Sequence, residues 1–302
     1  MSFIEEHQFP LRLLATHDYA CIDSVMLGDT LSDLPFQRDA LVPLVPRELQ
    51  TDERQMPALL SLQAMSSQDR IALQALMEEF YLNQTAMPVT CLFRTQSALE
   101  IVRQHCLKKL ILQSPDLRKF FLRFYDPRVL VHLLYLFDAE QLAGIFMGLQ
   151  AYSFFLDGAW HTVTAPQVSV DLAKYRVSQN QLEKIQRIQT MNRVLDQLSD
   201  RPRYTTIHAE VYRRYCENID QLVVRAEQQL GLTLQEDQAL FACHALTIHP
   251  AFDQHPKIKT LLSQRNSQEQ SYTDMAALLS ESDWQQIRQE CKHGSSNSAL
   301  IN

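Results

Sequence analysis

Glycine is scarce in this chain. Only six occur in 302 residues, and neither a phosphate-cradling P-loop nor the glycine fingerprint of dinucleotide sites is present. Long apolar runs are missing as well. None approaches the roughly 20 residues that a membrane-spanning helix requires, so no membrane span is expected. Six cysteines occur, Cys21, Cys91, Cys106, Cys216, Cys243 and Cys291. No two are spaced as a CxxC pair, and each sits among apolar residues, which predicts reduced core thiols rather than disulfides or a zinc site. Positive charge falls short of negative by 28 to 35, a formal net charge of −7. Bulk electrostatics therefore exclude nucleic acid as a partner. The GxSxG and HExxH patterns of hydrolases are absent. Met1 to Phe9 carries Glu5 and Glu6 and no apolar core, so a signal peptide is not expected there. These absences predict a cytoplasmic protein without cofactor, metal or catalytic residues.

What is present has two characters. The first half alternates strand and helix signals. Tyr19–Ile22, Ala40–Val45 and Val89–Phe93 read as strands, and 67–82 reads as a helix with Ile71, Ala75, Leu76 and Phe80 in register. Ser97-Ala98-Leu99-Glu100 reads as a capping box ahead of a helix burying Leu99, Val102, Cys106 and Leu110, and Asp138-Ala139-Glu140-Gln141 as a second box. Phe120 to Tyr125 reads as a buried strand. It ends at Asp126, a helix cap, and Pro127, whose fixed φ suits a first helical position. Tyr152–Leu156 and Trp160–Val163 flank Asp157-Gly158, a strong hairpin signal. Strands interleaved with helices predict parallel pairing by crossovers, with the hairpin as an antiparallel edge.

After about residue 165 strand signals nearly vanish. Ser178 to Gln181 caps a helix bearing Leu182, Ile185, Ile188, Met191, Leu195 and Leu198. A second helix carries the stripe Ile207, Val211, Tyr215, Ile219, Leu222, Ala226 and Leu230, with Gly231 placed to end it. Thr233 to Glu236 opens another, and shorter helices follow to Cys291. The expected organisation is an α/β lobe with a mixed sheet flanked by helices over 1–165, a helical lobe over 166–292, and a disordered tail over 293–302.

Few residues offer chemistry. His244, His249 and His255 do not share a helical face, and Pro250 and Pro256 interrupt the backbone between them. His105 and Cys106 are adjacent and point apart on a helix. Asp126 and Asp138 are read as caps at opposite ends of one helix, roughly 15 Å or more apart. A basic cluster stands out: Arg103, Lys108, Lys109, Arg118 and Lys119, with Arg123 and Arg128 beside it. It is either a solvated helix end and sheet edge or a docking face for an acidic partner. Charge reversal at Lys108 and Lys109 is expected to leave folding intact. Aromatic residues crowd between Phe120 and Trp160. By strand alternation, either both faces of the sheet are apolar or one is left for a partner.

The run Arg123-Phe124-Tyr125-Asp126-Pro127-Arg128-Val129-Leu130 resembles the signature of the effector chaperones of bacterial type VI secretion, the Tap or TEC adaptor family. Other parts of the family pattern have counterparts. A short strand ends in an acidic residue at Tyr19 to Asp23, the helix at Ser97 to Glu100 is followed by His105, and Asp138 to Leu142 opens a helix before an aromatic hairpin through Trp160. In the helical half, Gln181-Leu182, Leu230-Gly231-Leu232 and Phe252-Asp253 with His255-Pro256 match more loosely. Cys21 stands where the family has an aliphatic residue, and Leu112 to Leu117 is a shorter, less glycine-rich approach than usual. The resemblance implies a non-catalytic cytoplasmic chaperone. It would bind one toxic effector and load it onto a VgrG-type (valine-glycine-repeat) spike protein, with the cleft between lobes as the place for the cargo. For the signature residues themselves, two roles remain: fixing the strand–helix junction, or facing the partner through Arg123, Tyr125 and Arg128. A structural component of the spike or baseplate, and an enzyme with an unfamiliar pocket between the lobes, are the other readings.

Overall fold

The computed structural model describes residues 3–6, 11–27, 41–83, 87–114, 116–165, 177–205, 208–268 and 270–298. In chain order the first half runs β1 (Phe3–Glu6), α1 (Leu11–Thr16), β2 (Tyr19–Ile22), α2 (Ser24–Leu27), β3 (Leu41–Pro43), β4 (Ala58–Ser61), α3 (Ser67–Leu82) and β5 (Val89–Arg94). It continues through α4 (Leu99–Lys109), β6 (Ile111–Gln113), β7 (Lys119–Phe121), α5 (Pro127–Leu136), α6 (Ala139–Ile145), β8 (Ala151–Leu156) and β9 (Ala159–Thr164). Helices follow: α7 (Gln179–Gln197), α8 (Ala209–Gln228), α9 (Gln235–Thr247), α10 (Pro256–Gln268), α11 (Tyr272–Ala276) and α12 (Glu281–Ser298). The chain divides into two compact units, Met1–Ile185 with Arg203–Ala209, and Gln186–Pro202 with Glu210–Asn302. An α/β half followed by a helical half matches the sequence reading. Helix α12 runs past Cys291 into the stretch expected to be disordered, and 299–302 lie outside the described residues.

In the first unit a seven-stranded sheet has the order β1-β9-β8-β5-β2-β4-β3. Pairing differs from the expectation of parallel crossovers, because each ladder among the described residues is antiparallel. The reason is an inserted strand. β4 and β5, joined through α3, do run in the same direction. But β2 lies between them and is antiparallel to both. The helix-linked pair therefore never shares a ladder, and every hydrogen bond goes to a strand of opposite direction.

Both faces of this sheet are apolar and covered, which resolves the alternative left open by the aromatic run. β2 and β4 are buried at each position. On one face Leu13 and Leu14 of α1 and Leu73 and Met77 of α3 pack with Ala20, Ile22, Leu60, Val89, Leu92 and Trp160. The alternate residues project to the other face, where the Phe93 and Phe146 rings lie 5.1 and 5.5 Å from that of Tyr152. Aromatic pairs in these tilted and edge-on geometries add about 0.5–1.5 kcal/mol each beyond the area they bury. The hairpin signal is realised as a two-residue loop: Asp157 has φ +52° and Gly158 φ +85°, the pair of left-handed residues that a type I′ turn needs.

In the second unit α7, α8 and α9 carry the core. Leu195, Tyr212, Cys216, Ile219, Val223, Ala226 and Phe241 are buried there. The α8 stripe holds at Ile219, Leu222 and Ala226 and departs from the expectation in the first turns, where Val211 is exposed while Tyr212 and Cys216 are buried; Ile207 lies outside the described residues. At about 100° per residue, a strict four-residue series drifts around the helix, and the buried set instead alternates three- and four-residue steps. Gly231 ends this helix with φ +63°. Gly231 N–H bonds the Glu227 carbonyl, the αL closure, and Leu232 N–H the Ala226 carbonyl. Arg187 forks onto Asp220 at 2.6 and 3.0 Å, tying α7 to α8.

Candidate functional site

The signature lies where three pieces of backbone meet. Phe120 and Phe121 do not enter the large sheet, contrary to the sequence reading. They belong to a separate two-stranded ribbon, β6 with β7, and Phe121 is 38% exposed. Burial begins one residue later: Leu122, Phe124 and Tyr125 are all inside. The strand expected over six residues is thus a short ribbon followed by a tight turn. Asp126 N–H bonds the Arg123 carbonyl at 2.9 Å, and Tyr152 donates its hydroxyl to the Phe124 carbonyl at 3.2 Å.

Asp126 acts as anticipated. Its Oδ1 accepts the Arg128 N–H at 3.0 Å as the cap of α5, with Pro127 at the first helical position. The carboxylate is buried, and both flanking arginines turn toward it, Arg128 Nε at 3.5 Å and Arg123 Nη2 at 3.6 Å. The stronger bond of Arg123 goes elsewhere, to Asp23 Oδ2 at 2.9 Å. Asp23 is the acidic residue that ends β2, and it is itself buried. Its other oxygen accepts the Val25 N–H at 3.2 Å, and its own N–H bonds the Pro88 carbonyl. Arg123 also lies over the Tyr125 ring, 5.6 Å from its centre. Burial pushes the Tyr125 phenol up, so it stays protonated. Arg123 and Arg128 keep 43% and 45% of their side chains exposed, so each joins a buried carboxylate to the surface.

The basic cluster separates into unlike parts. Lys109 is buried; its Nζ donates to the Met147 carbonyl at 3.2 Å and lies 5.9 Å from the Phe124 ring centre. Burial pulls its ammonium down to about 8. It is therefore a core residue and not part of a partner-facing surface. Arg103 pairs with Glu100, Arg118 with Asp116 and Lys119 with Glu48. Lys108 is exposed near the end of α4. The solvated part of the cluster is thus Lys108, Arg118 and Lys119, with Arg118 just before β7 and Lys119 opening it.

Capping signals divide similarly. Asp138 and Gln141 form both bonds of their box, at 2.8 and 3.0 Å, and Ser178 with Gln181 does the same. Ser97 does not cap α4. Its N–H is taken by Thr95 Oγ1 and its carbonyl by the Tyr19 hydroxyl, and Ala98 stands at the cap without a side-chain bond. His105 packs against Gly148, whose φ is +78° and where an added Cβ would fall 2.5 Å from Nδ1. That close approach gives the histidine a fixed neighbour rather than a chemical role.

One arrangement escaped the sequence reading. Ser153 Oγ lies 2.9 Å from His17 Nε2 and 2.7 Å from Thr162 Oγ1. His17 Nδ1 donates to the Leu13 carbonyl at 2.9 Å, leaving Nε2 to accept the serine proton. The pair has the reach of a nucleophile and base. But Ser153 has no exposed surface, and a backbone carbonyl, not a carboxylate, orients the imidazole. It satisfies polar groups inside the sheet. Residues 136 apart in sequence carry no local signal for such a contact. His244 and His255 are also engaged, with Tyr272 and Glu290 respectively. Among the described residues no group of three or more His, Cys, Asp or Glu could hold a metal ion, and no helix is long and apolar enough to cross a membrane.

The fold is therefore an antiparallel α/β lobe and a helical unit, with the segment 123–130 joining β7 to α5. Residues 43–144 match the family model described as "Domain of unknown function (DUF4123)". No curated protein and no solved structure matches the chain.

Proposed function

We infer that this protein is a non-catalytic chaperone or adaptor of type VI secretion, binding a toxic effector in the cytoplasm and loading it onto a VgrG-type spike protein. The observation carrying this reading is the match over 43–144, because that domain family is the one associated with type VI effector chaperones. The matched stretch contains the whole signature from Arg123 to Leu130. The Arg123–Asp23 bond lends further support, since it joins two separate elements of the pattern that suggested the family. In this reading the buried part of the signature, Phe124, Tyr125 and Asp126, with Pro127 opening α5, builds the lobe. Partner contact falls to the exposed arginines, Arg123 and Arg128, and to the solvated cations beside them.

The test is co-expression with the product of the adjacent gene, followed by affinity capture of this chain. A stoichiometric complex, with the toxin more soluble or better secreted in its presence, is expected. Failure to capture it, together with unchanged toxin solubility and secretion, overturns the reading.

A further inference from the structure

The β6–β7 ribbon has two strands and hence two edges, and its register fixes which backbone groups face outward. Ser114 N–H bonds the Arg118 carbonyl at 2.9 Å, and Leu122 N–H bonds the Leu110 carbonyl at 2.8 Å. In an antiparallel ladder, pairs that exchange bonds alternate with pairs that do not. Leu112 with Phe120 is therefore a bonded pair. Ile111 with Phe121 and Gln113 with Lys119 are the open ones. The N–H and C=O of Lys119 and of Phe121 thus point away from β6, and none of the four meets a partner among the described residues. Both residues are exposed, and the Lys119–Glu48 contact involves side chains alone. Leu117, at the ribbon's turn with φ +67°, is 67% exposed.

We propose that the outer edge of β7 is a strand-addition site that takes an extended, acidic–apolar segment of a partner polypeptide. An open edge with paired donors and acceptors at alternate residues is a template for another strand. The charge around it selects the occupant. Residues 117–123 read Leu-Arg-Lys-Phe-Phe-Leu-Arg, three cations and no acid. A second copy of the same ribbon is repelled, whereas a strand that places a carboxylate beside Lys119 and an apolar side chain beside Phe121 fits both the charge and the period-two spacing. The existing pairs, Arg118–Asp116 and Lys119–Glu48, are solvent-exposed on both sides, so they exchange readily for a partner's carboxylates. The inference rests on the chaperone reading only for the source of the strand.

The test follows amide protection at Lys119 and Phe121 in the full chain while synthetic peptides are added. One peptide places glutamate and valine two residues apart on the same face, as Glu-Thr-Val-Thr repeated, a second has lysine at each glutamate, and a third is the first with its strand-facing amides N-methylated. The first should slow exchange at both amides, and the other two should not. Phe121→Pro removes one outward N–H and no ladder bond, so it should weaken the first peptide about tenfold. Lys119→Glu, an exposed change, should abolish the preference for glutamate over lysine and serves as the test if the proline variant does not fold. Unchanged protection, equal protection by the lysine peptide, or protection that appears without peptide as protein concentration rises would each overturn the proposal. Cargo captured without protection of this edge removes the edge and spares the chaperone reading. Protection without cargo capture does the reverse.

Discussion

Arg123 and Asp23 stand one hundred residues apart in the chain and 2.9 Å apart in space. The arginine belongs to the turn that follows β7, the aspartate to the end of β2, and their bond ties the signature turn to the centre of the sheet. Asp23 is buried and Arg123 half-exposed. Losing the aspartate therefore removes a charge-assisted bond and leaves the Val25 N–H without its acceptor, while the guanidinium can turn to water. Asp23→Ala should destabilise the fold by about 2 kcal/mol, and a double-mutant cycle with Arg123→Ala should return a coupling of about 1 kcal/mol. Denaturant melts of the four proteins measure both, and a coupling near zero would reduce the pair to coincidence.

Asp126→Ala should cost about 1–2 kcal/mol, because the cap of α5 is lost and two arginines lose a shared carboxylate. Asp126→Asn keeps the capping oxygen and removes the charge, so it should recover about half of that loss. Equal melting temperatures for the wild type and the alanine variant would dismiss the capping role.

Lys108 and Lys109 should respond oppositely to charge reversal, contrary to their neighbouring positions. Lys108→Glu changes an exposed residue and should leave the melting temperature within a degree or so. Lys109→Glu buries a carboxylate against Phe124 and the Met147 carbonyl, and should prevent folding. Lys109→Met is the informative variant. The folded lysine titrates near 8 and the unfolded one near 10.5. Between those values the unfolded chain holds the extra proton, and stability rises with pH. Relative to Lys109→Met, wild-type stability should climb by up to about 3 kcal/mol across that window, and a flat difference would contradict the buried ammonium.

His244 should make the protein sensitive to acid. Its imidazole stacks 4.3 Å from Trp284, accepts or donates through Nδ1 with the Tyr272 hydroxyl, and is pulled by burial to about 4. From pH 6.5 down to about 4 the unfolded state gains a proton that the folded state refuses, so stability falls. The loss should reach up to about 3 kcal/mol and should be smaller in His244→Gln. Thermal melts from pH 7 to 4 on both proteins measure it. His17 and His105, also lowered by burial, remain in the variant and set its residual slope.

The features visible in the sequence are those set by neighbours along the chain. Helix α3 falls at the expected 67–82, the Asp157-Gly158 turn forms because both residues tolerate positive φ, and the boxes at Asp138 and Ser178 close because cap and partner are three residues apart. What stayed hidden depends on distant contacts. Ser97 has the same local pattern as Asp138, yet Tyr19 and Thr95 claim its backbone first. Phe120 and Phe121 look like sheet interior, but the nearest strand they can pair with is β6, which already forms their hairpin. The burial of Lys109 beside Lys108 depends on the loop carrying Met147. For the candidate site, the Asp126 cap and the helix start at Pro127 were legible; the Asp23 partner of Arg123 and the open edge of β7 were not, since both follow from register and tertiary placement.

The position of β2 bears on what can fold alone. The stretch from 43 to 144 contains β4, α3 and β5 but not the strand between them, which comes from residues 19–22. It also lacks β8, the neighbour of β5 on its other side. Of β3, the other neighbour of β4, it keeps only Pro43, so, cut out at those limits, the segment would expose both edges of β5 and both of β4 with no strand of its own to fill the gaps. The region that is recognisable as a family is thus not an autonomous folding unit. Its cohesion is lent by flanking sequence, and a fragment meant to retain partner binding must begin before Tyr19 and extend through Thr164.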